Sequence, residues 1–215
     1  MEVNLFAGVE RPVDRSGRLE RRRGLSAGER AELCRFEGEY FDGQTGYGGY
    51  HYDGRHEAAV REMVRFYGLG AESRVLDVGC AKGFMLYEFF RLGITKVCGC
   101  DVSEYALQQA KPEIRDRLDR LSADRLSYAD GSFDLVYSVD VIHNLEPEGC
   151  DEAIREIMRV SRRHTFIQVA SFEGAEQERR LREWGVTVKT FRDKGRWRAV
   201  FETVGYRGDY FLKTY

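Results

Sequence analysis

Apolar residues along this chain fall into short blocks with two different spacings. SRVLDV (73–78), TKVCGC (95–100), SFDLVYSV (132–139) and HTFIQVA (164–170) are brief runs rich in β-branched and aromatic residues, the signature of buried strands. RLSA near 120–123 predicts a shorter strand, and VTVKTF (186–191) and GDYFLKT (208–214) predict two more. Between these runs the apolar spacing lengthens to the helical period. Helices are therefore expected around 56–67, 82–92, 103–110, 148–161, 174–184 and 195–204, with Gly93 closing the second and Pro112 cutting off the third. Strands and helices that alternate with short connections predict an α/β domain, a mostly parallel sheet covered on both faces. The last strand, reached through WRAVFETVGY, has the length of connection that lets it insert antiparallel.

Upstream of this alternation, Ser26 and Glu29 have the spacing of a capping box, which predicts a helix from 27 to about 41 with Leu33, Phe36 and Tyr40 on one side. Residues 41–56 then hold five glycines and the aromatics Phe41, Tyr47, Tyr50 and Tyr52. Such a loop suits a lid over a site, with Tyr47, Tyr50 and Tyr52 offering apolar faces and hydroxyls; the plainer reading is a surface loop packed on the first helix. Residues 11–23 carry Arg11, Arg15, Arg18, Arg21, Arg22 and Arg23 against Asp14 and Glu20. They read as a solvated, mobile tail or as a phosphate-contacting arm. The expected division is a flexible basic tail over 1–25, a helix and Tyr/Gly-rich lid over 26–56, and the main domain over 57–215.

A length of 215 residues and a hydrophobic content of 42% suffice for one self-sustaining core. The net charge of −2 disfavours a global preference for nucleic acid. No apolar run approaches the roughly 20 residues that span a bilayer, and the opening MEVNLFAGVERP lacks a cationic leader, so a cytoplasmic protein away from membranes is expected. Cys34, Cys80, Cys98, Cys100 and Cys150 show no metal-binding spacing, which predicts reduced thiols and no structural metal.

Ligands of open parallel sheets bind at the carboxyl ends of the strands. After the first predicted strand comes Val78-Gly79-Cys80-Ala81-Lys82-Gly83-Phe84, small residues that allow close approach of backbone amides. This is not the dinucleotide pattern GxGxxG, because position 81 is alanine. Asp77 before the turn would repel a pyrophosphate and attract an ammonium. Asp101 ends the second strand, at the separation from Gly79 where a carboxylate accepts hydrogen bonds from ribose hydroxyls. Asp124, Arg125 and Leu126 after the third can meet an adenine. The ligand so described is an adenosine joined to an amino acid.

VLDVGCAKG, CGCDVSEYALQQA, SADRLSYADGSFDLVYSVDVIHNL and EAIREIMRVSRR, in that order, resemble the motifs of the class I S-adenosylmethionine-dependent methyltransferases, and within them the type 11 group. The resemblance implies a Rossmann-like three-layer sandwich, with a seven-stranded sheet of order 3-2-1-4-5-7-6 and an antiparallel last strand. It implies S-adenosylmethionine as donor and S-adenosylhomocysteine as product, with no metal. By matching position, Asp77, Gly79, Cys80, Ala81 and Gly83 would surround the methionine part, and Asp101 and Val102 the ribose. Asp124, Arg125 and Leu126 would meet the adenine, and Ser138, Val139 and Asp140 would lie near the sulfonium. Ala81-Lys82 departs from the more usual Gly-Thr or Gly-Ser, and Lys82 is expected to point to solvent.

Methyl transfer is an in-line displacement that needs alignment and exclusion of water, with a base where the acceptor is an oxygen or a protonated amine. His143 and Asp140 are the candidate bases, with His51 in the tyrosine-rich loop as another; the alternative for His143 is a structural residue of the IHNL turn, whose Asn144 would face substrate. His56 and His164 read as structural. Arg55 is either a clamp on the cofactor carboxylate or surface charge. The segment SVDVIHNL lacks the NPPY-type tetrapeptide of amino methylation of nucleobases and protein glutamine. A small-molecule acceptor, natural-product or sugar-like, methylated on oxygen or nitrogen is therefore expected. The alternatives are RNA methylation through the N-terminal arginines and a catalytically silent S-adenosylmethionine-binding partner subunit. An NAD-dependent oxidoreductase suffers from the wrong glycine pattern. A homodimer stays open.

Overall fold

The computed structural model describes residues 1–9 and 15–214. Its elements run α1 (Arg15–Arg23), α2 (Ala27–Leu33), α3 (Gly38–Phe41), α4 (Glu57–Tyr67), β1 (Arg74–Val78), α5 (Phe84–Arg91), β2 (Lys96–Asp101), α6 (Glu104–Gln108), α7 (Pro112–Arg115) and β3 (Leu118–Arg120). They continue with β4 (Phe133–Val139), a 3-10 turn (Ile142–Asn144), α8 (Pro147–Val160), β5 (Ser161–Ala170), α9 (Gly174–Trp184), α10 (Lys194–Thr203) and β6 (Asp209–Lys213). No helix among the described residues is long and apolar enough to cross a membrane.

Strand period divides the core into two layers. Leu76, Val78, Val136, Ile167 and Val169 face α8, whose Ala153, Ile154, Ile157 and Val160 recur at helical spacing, and meet Trp197 and Phe201 of α10. Val75, Leu135, Tyr137 and Phe166 face the other way, onto Val60 and Met63 of α4 and Leu86 and Phe89 of α5. Both faces of the central strands are thus dry, which is why β1 and β4 read as nearly continuous apolar runs. The class is α/β, a three-layer Rossmann-like sandwich.

The sheet differs from the seven-stranded expectation. Among the described residues six strands run in the order β3-β2-β1-β4-β5-β6, and β6 pairs with β5 in parallel. The segment VTVKTF forms no strand, because its backbone is held by the turn after β4: the Lys189 and Thr190 amides both donate to the His143 carbonyl, at 3.1 and 3.0 Å. The Thr190 hydroxyl donates to the Leu145 carbonyl at 2.7 Å. With no strand there, the last strand lies directly beside β5. Its outer edge is partly covered by residues 1–3, where the Val3 amide donates to the Tyr210 carbonyl at 2.8 Å.

The basic N-terminal stretch is docked rather than a free tail. Phe6 stacks on Phe166 at 6.2 Å, and α1 packs on α9. The Arg22 guanidinium is buried and donates to the carbonyls of Thr45, Trp184 and Gly46, at 2.9, 2.6 and 3.0 Å. Its charge lies 4.8 Å from the Trp184 ring centroid. Arg11 and Asp14, and the side chain of Arg15, lie outside the described residues. The capping box of Ser26 and Glu29 forms, but the helix it starts stops at Leu33. Phe36 takes a left-handed backbone (φ 55°), and the break lets both Leu33 and Phe41 reach the core.

Candidate functional site

The carboxyl ends of β1, β2, β4 and β5 open into one cleft of about 560 Å³, roofed by the tyrosine-rich loop, α1 and the end of α9. The turn after β1 is shaped by backbone rather than side chains. Gly79 has φ 85°, and a Cβ there would stand 2.3 Å from the Val141 side chain, so only glycine fits. The amides of Gly79 and Cys80 both donate to the Cys100 carbonyl, at 2.7 and 2.9 Å. The Ala81 amide donates to Oδ2 of Asp101 and the Ser103 amide to its Oδ1, at 2.8 and 2.9 Å. Asp101 is thereby fixed at the cleft edge with lone pairs to spare.

Burial raises both carboxyls of this wall. Asp77, on β1, is pushed up to about 8 by desolvation, partly offset by the Tyr137 hydroxyl and reinforced by Asp101. Asp101 is raised by the same desolvation against its amide hydrogen bonds. A cation arriving beside Asp77 would draw the proton off.

Most of the expected donor-site residues line this cleft: Asp77, Gly79, Cys80, Ala81, Asp101 and Val102. Val139, Asp140, His143 and Asn144 line it from the end of β4, and Tyr47, Tyr50, His51 and Arg55 from the loop. Six expected residues do not line it. Gly83 is a packing glycine, where a Cβ would meet Ile114 at 2.6 Å. The Ser138 hydroxyl donates to the Val78 carbonyl at 2.9 Å inside the sheet. Tyr52 donates to Glu88 at 2.7 Å and packs edge-on to Tyr87. After β3 it is Leu121, Ser122 and Ala123 that face the cleft. Asp124 is bonded by the Ser122 hydroxyl, the Arg125 amide donates to the Ser122 carbonyl, and Leu126 is buried with its amide on Glu156. β3 ends at Arg120 rather than Ala123, so the residues that follow it into the cleft come a few positions earlier than expected.

Other side chains depart from expectation in their partners. Lys82 is buried, not solvated, and its ammonium donates to both oxygens of Asp42 at 2.9 Å. Arg55 grips Asp53, which it holds down at about 2. His143 is fully buried, and desolvation lowers it to about 4. Its Nδ1 accepts from the Ala170 amide at 3.2 Å, which leaves the single ring proton on Nε2. The ring is thus built to donate a hydrogen bond rather than to take a proton. Asp140 has a left-handed backbone (φ 60°) and is ion-paired to Lys213.

Several cleft residues escaped the sequence reading. Gln168 is buried, lines the cleft, and has no hydrogen-bond partner for either amide atom among the described residues. It was visible as the one amide in HTFIQVA, a run otherwise fit for a dry strand. Lys213, Arg18, Tyr40 and Trp184 also line the cleft, and nothing in their local sequence marks them.

Residues 76–167 match the family model described as a methyltransferase domain. The 27-O-demethylrifamycin SV methyltransferase of Amycolatopsis mediterranei is 30% identical over 149 residues, 61% of this chain and 54% of that one. A sterol 24-C-methyltransferase of Gibberella zeae is 29% identical over 136 residues, 59% of this chain and 33% of that one. The chain thus spans a third to about half the length of these curated relatives. The crystal structure of a SAM-dependent methyltransferase from Archaeoglobus fulgidus matches with a TM-score of 0.57 at 19% identity, covering 70% of this chain and 67% of that one, which shows a shared fold.

Proposed function

We infer, for a chain whose residues 76–167 form a class I, Rossmann-like methyltransferase domain, that it transfers a methyl group from S-adenosylmethionine to an oxygen or nitrogen of a small molecule. The observation that carries this reading is a single cleft with two chemically distinct walls. One is the Asp77, Gly79–Ala81 and Asp101 wall, suited to a cationic amino acid and a ribose; the other is the His143, Gln168 and Asp140–Lys213 wall, suited to a polar acceptor. The residues fit the cofactor: Asp77 would hold the ammonium, Asp101 the ribose hydroxyls, and Val102 with Leu121–Ala123 the base. When bound, S-adenosylmethionine supplies an electrophilic methyl group on its sulfonium.

What remains for the protein is alignment and dryness. The Nε2–H of His143 would donate to the acceptor and hold it, with Asn144 fixed nearby by the Thr187 hydroxyl at 3.0 Å. Residues 26–56 would serve as the lid. Tyr50 stacks on Phe84 at 5.0 Å and Tyr47 lies 5.3 Å from Tyr50, a roof able to exclude water.

An acceptor as large as RNA is less well supported, because Arg22 and Arg23 of the basic stretch are engaged within the protein. Arg22 donates to three backbone carbonyls and Arg23 pairs with Glu183 at 2.9 Å.

Calorimetric titration with S-adenosylmethionine, S-adenosylhomocysteine and NADH tests the donor. Binding of the first two that is lost in Asp101→Ala supports the reading; binding of NADH alone, or of none, would overturn it.

A further inference from the structure

On the reading that this cleft holds the acceptor beside the cofactor, we propose that Arg18 anchors an anion subsite at its mouth and that the acceptor is an aromatic carboxylate. Arg18 reaches the cleft from α1, half-buried, with its guanidinium 5.5 Å from the ring centroid of Tyr47 and 5.6 Å from that of Trp184. One of its N–H groups donates to the Tyr47 carbonyl. A guanidinium carries five donors, and no carboxylate pairs with this one among the described residues.

The neighbouring cations are different. Arg22 is held by three backbone carbonyls, Arg55 is clasped by Asp53, and Lys213 is paired with Asp140. Unlike Arg55 and Lys213, Arg18 is partly desolvated with no carboxylate beside it among the described residues, and Arg21 and Arg55 add like charge around it. A positive field of that kind, kept in a cleft at an energetic cost, is offset when a ligand brings the missing charge.

The form of the anion follows from the walls. Phe36, Tyr40, Tyr47 and Trp184 give the same part of the cleft flat apolar faces, which stack on a ring. The planar fork of a guanidinium matches a carboxylate in the plane of such a ring. Among the described residues the Asp77 and Asp101 end of the cleft offers an anionic acceptor no cation, so the guanidinium end is the one that attracts it.

The test uses the full chain and three small probes, benzoate, benzamide and phenyl phosphate, in saturation-transfer NMR with and without S-adenosylhomocysteine. Benzoate is expected to bind about tenfold or more tightly than benzamide, and Arg18→Gln to remove about that preference while leaving S-adenosylhomocysteine affinity unchanged. Arg18→Lys, which keeps the charge and loses the fork, should fall between, and it serves as the readout if Arg18→Gln melts early. Equal binding of benzoate and benzamide, no binding of any probe, or an unaltered benzoate affinity in both variants would overturn the proposal. A marked preference for phenyl phosphate would reassign the subsite to phosphate esters. Benzoate binding in a chain that ignores S-adenosylhomocysteine would sink the methyltransferase reading and leave the anion site standing.

Discussion

The ammonium of Lys82 bonds both carboxylate oxygens of Asp42 at 2.9 Å, joining the turn after β1 to the start of the tyrosine-rich loop. Tyr105 adds its hydroxyl to the same carboxylate, and its ring lies 5.5 Å from the ammonium. The loop is therefore tied to the turn that would hold the cofactor, and its order and the cofactor's affinity should be coupled.

Asp42→Asn leaves a buried ammonium without its counter-charge, while Asp42 itself is partly exposed and screened. The cost is expected at about 2 kcal/mol, below that of a fully buried pair. The loop, rather than the sheet, should loosen. Limited proteolysis within residues 41–56 should accelerate, and S-adenosylhomocysteine should slow it less than in the parent. Unchanged proteolysis would show that the aromatic cluster alone holds the loop.

Asp77 should make both stability and cofactor binding pH-dependent. Its carboxyl titrates near 8 in the folded protein against an ordinary 3.8, so between those values the folded state holds a proton that the unfolded state lacks. Its contribution to stability is complete below about pH 4 and is lost as the pH rises through about 8. Asp77→Asn should flatten that slope and raise the melting temperature of the cofactor-free protein most at alkaline pH. Cofactor binding should behave in the opposite sense, because a cation beside Asp77 favours the ionised form. Calorimetry in two buffers of different ionisation heat should find proton release approaching one at about pH 6.5 and fading by about pH 9.5. Absence of proton release would remove Asp77 from the cation site.

The central strands were legible because burial on both faces forces apolar runs, and the place of Asp77, Gly79 and Asp101 at the cleft because it follows from the strand ends. VTVKTF misled for a physical reason. Alternation says that one side of a segment is apolar, and says nothing about whether a neighbouring strand is free to pair; here the His143 carbonyl takes the amides instead. Arg22 and Lys82 misled because composition treats long cations as solvated, whereas their stems and heads are buried against Trp184 and Asp42. Asp124, Arg125 and Leu126 fall outside the cleft because β3 ends earlier than its apolar pattern suggests.

His143 separates a base from a positioning group. A ring lowered to about 4 is neutral throughout the physiological range, so it should contribute no limb to an activity profile near pH 6.5. His143→Asn keeps an acceptor for the Ala170 amide, whereas His143→Ala loses it and leaves a cavity, costing about 2 to 3 kcal/mol. Turnover by His143→Asn should stay within about tenfold of the parent with a raised KM, as befits lost positioning. A loss of about a hundredfold or more in kcat at unchanged KM would restore the role of base.

Gln168 offers the sharpest contrast between stability and function. A buried amide with neither atom partnered among the described residues costs free energy in the ligand-free protein, and such a residue near the carboxyl end of β5 weakens a strand that would otherwise be dry. Gln168→Met keeps the volume and removes the unpaired groups, so denaturant unfolding should show a gain of about 1 kcal/mol without a change in slope. The same variant deprives the acceptor of a donor and an acceptor side by side. Once an acceptor is known, its KM should rise about tenfold while S-adenosylhomocysteine affinity holds, since Gln168 of β5 stands two strands from Asp77 of β1 and three from Asp101 of β2. Stabilisation with unaltered KM would make Gln168 a tolerated defect of the core, and destabilisation would mean that the amide is satisfied in solution by ordered water.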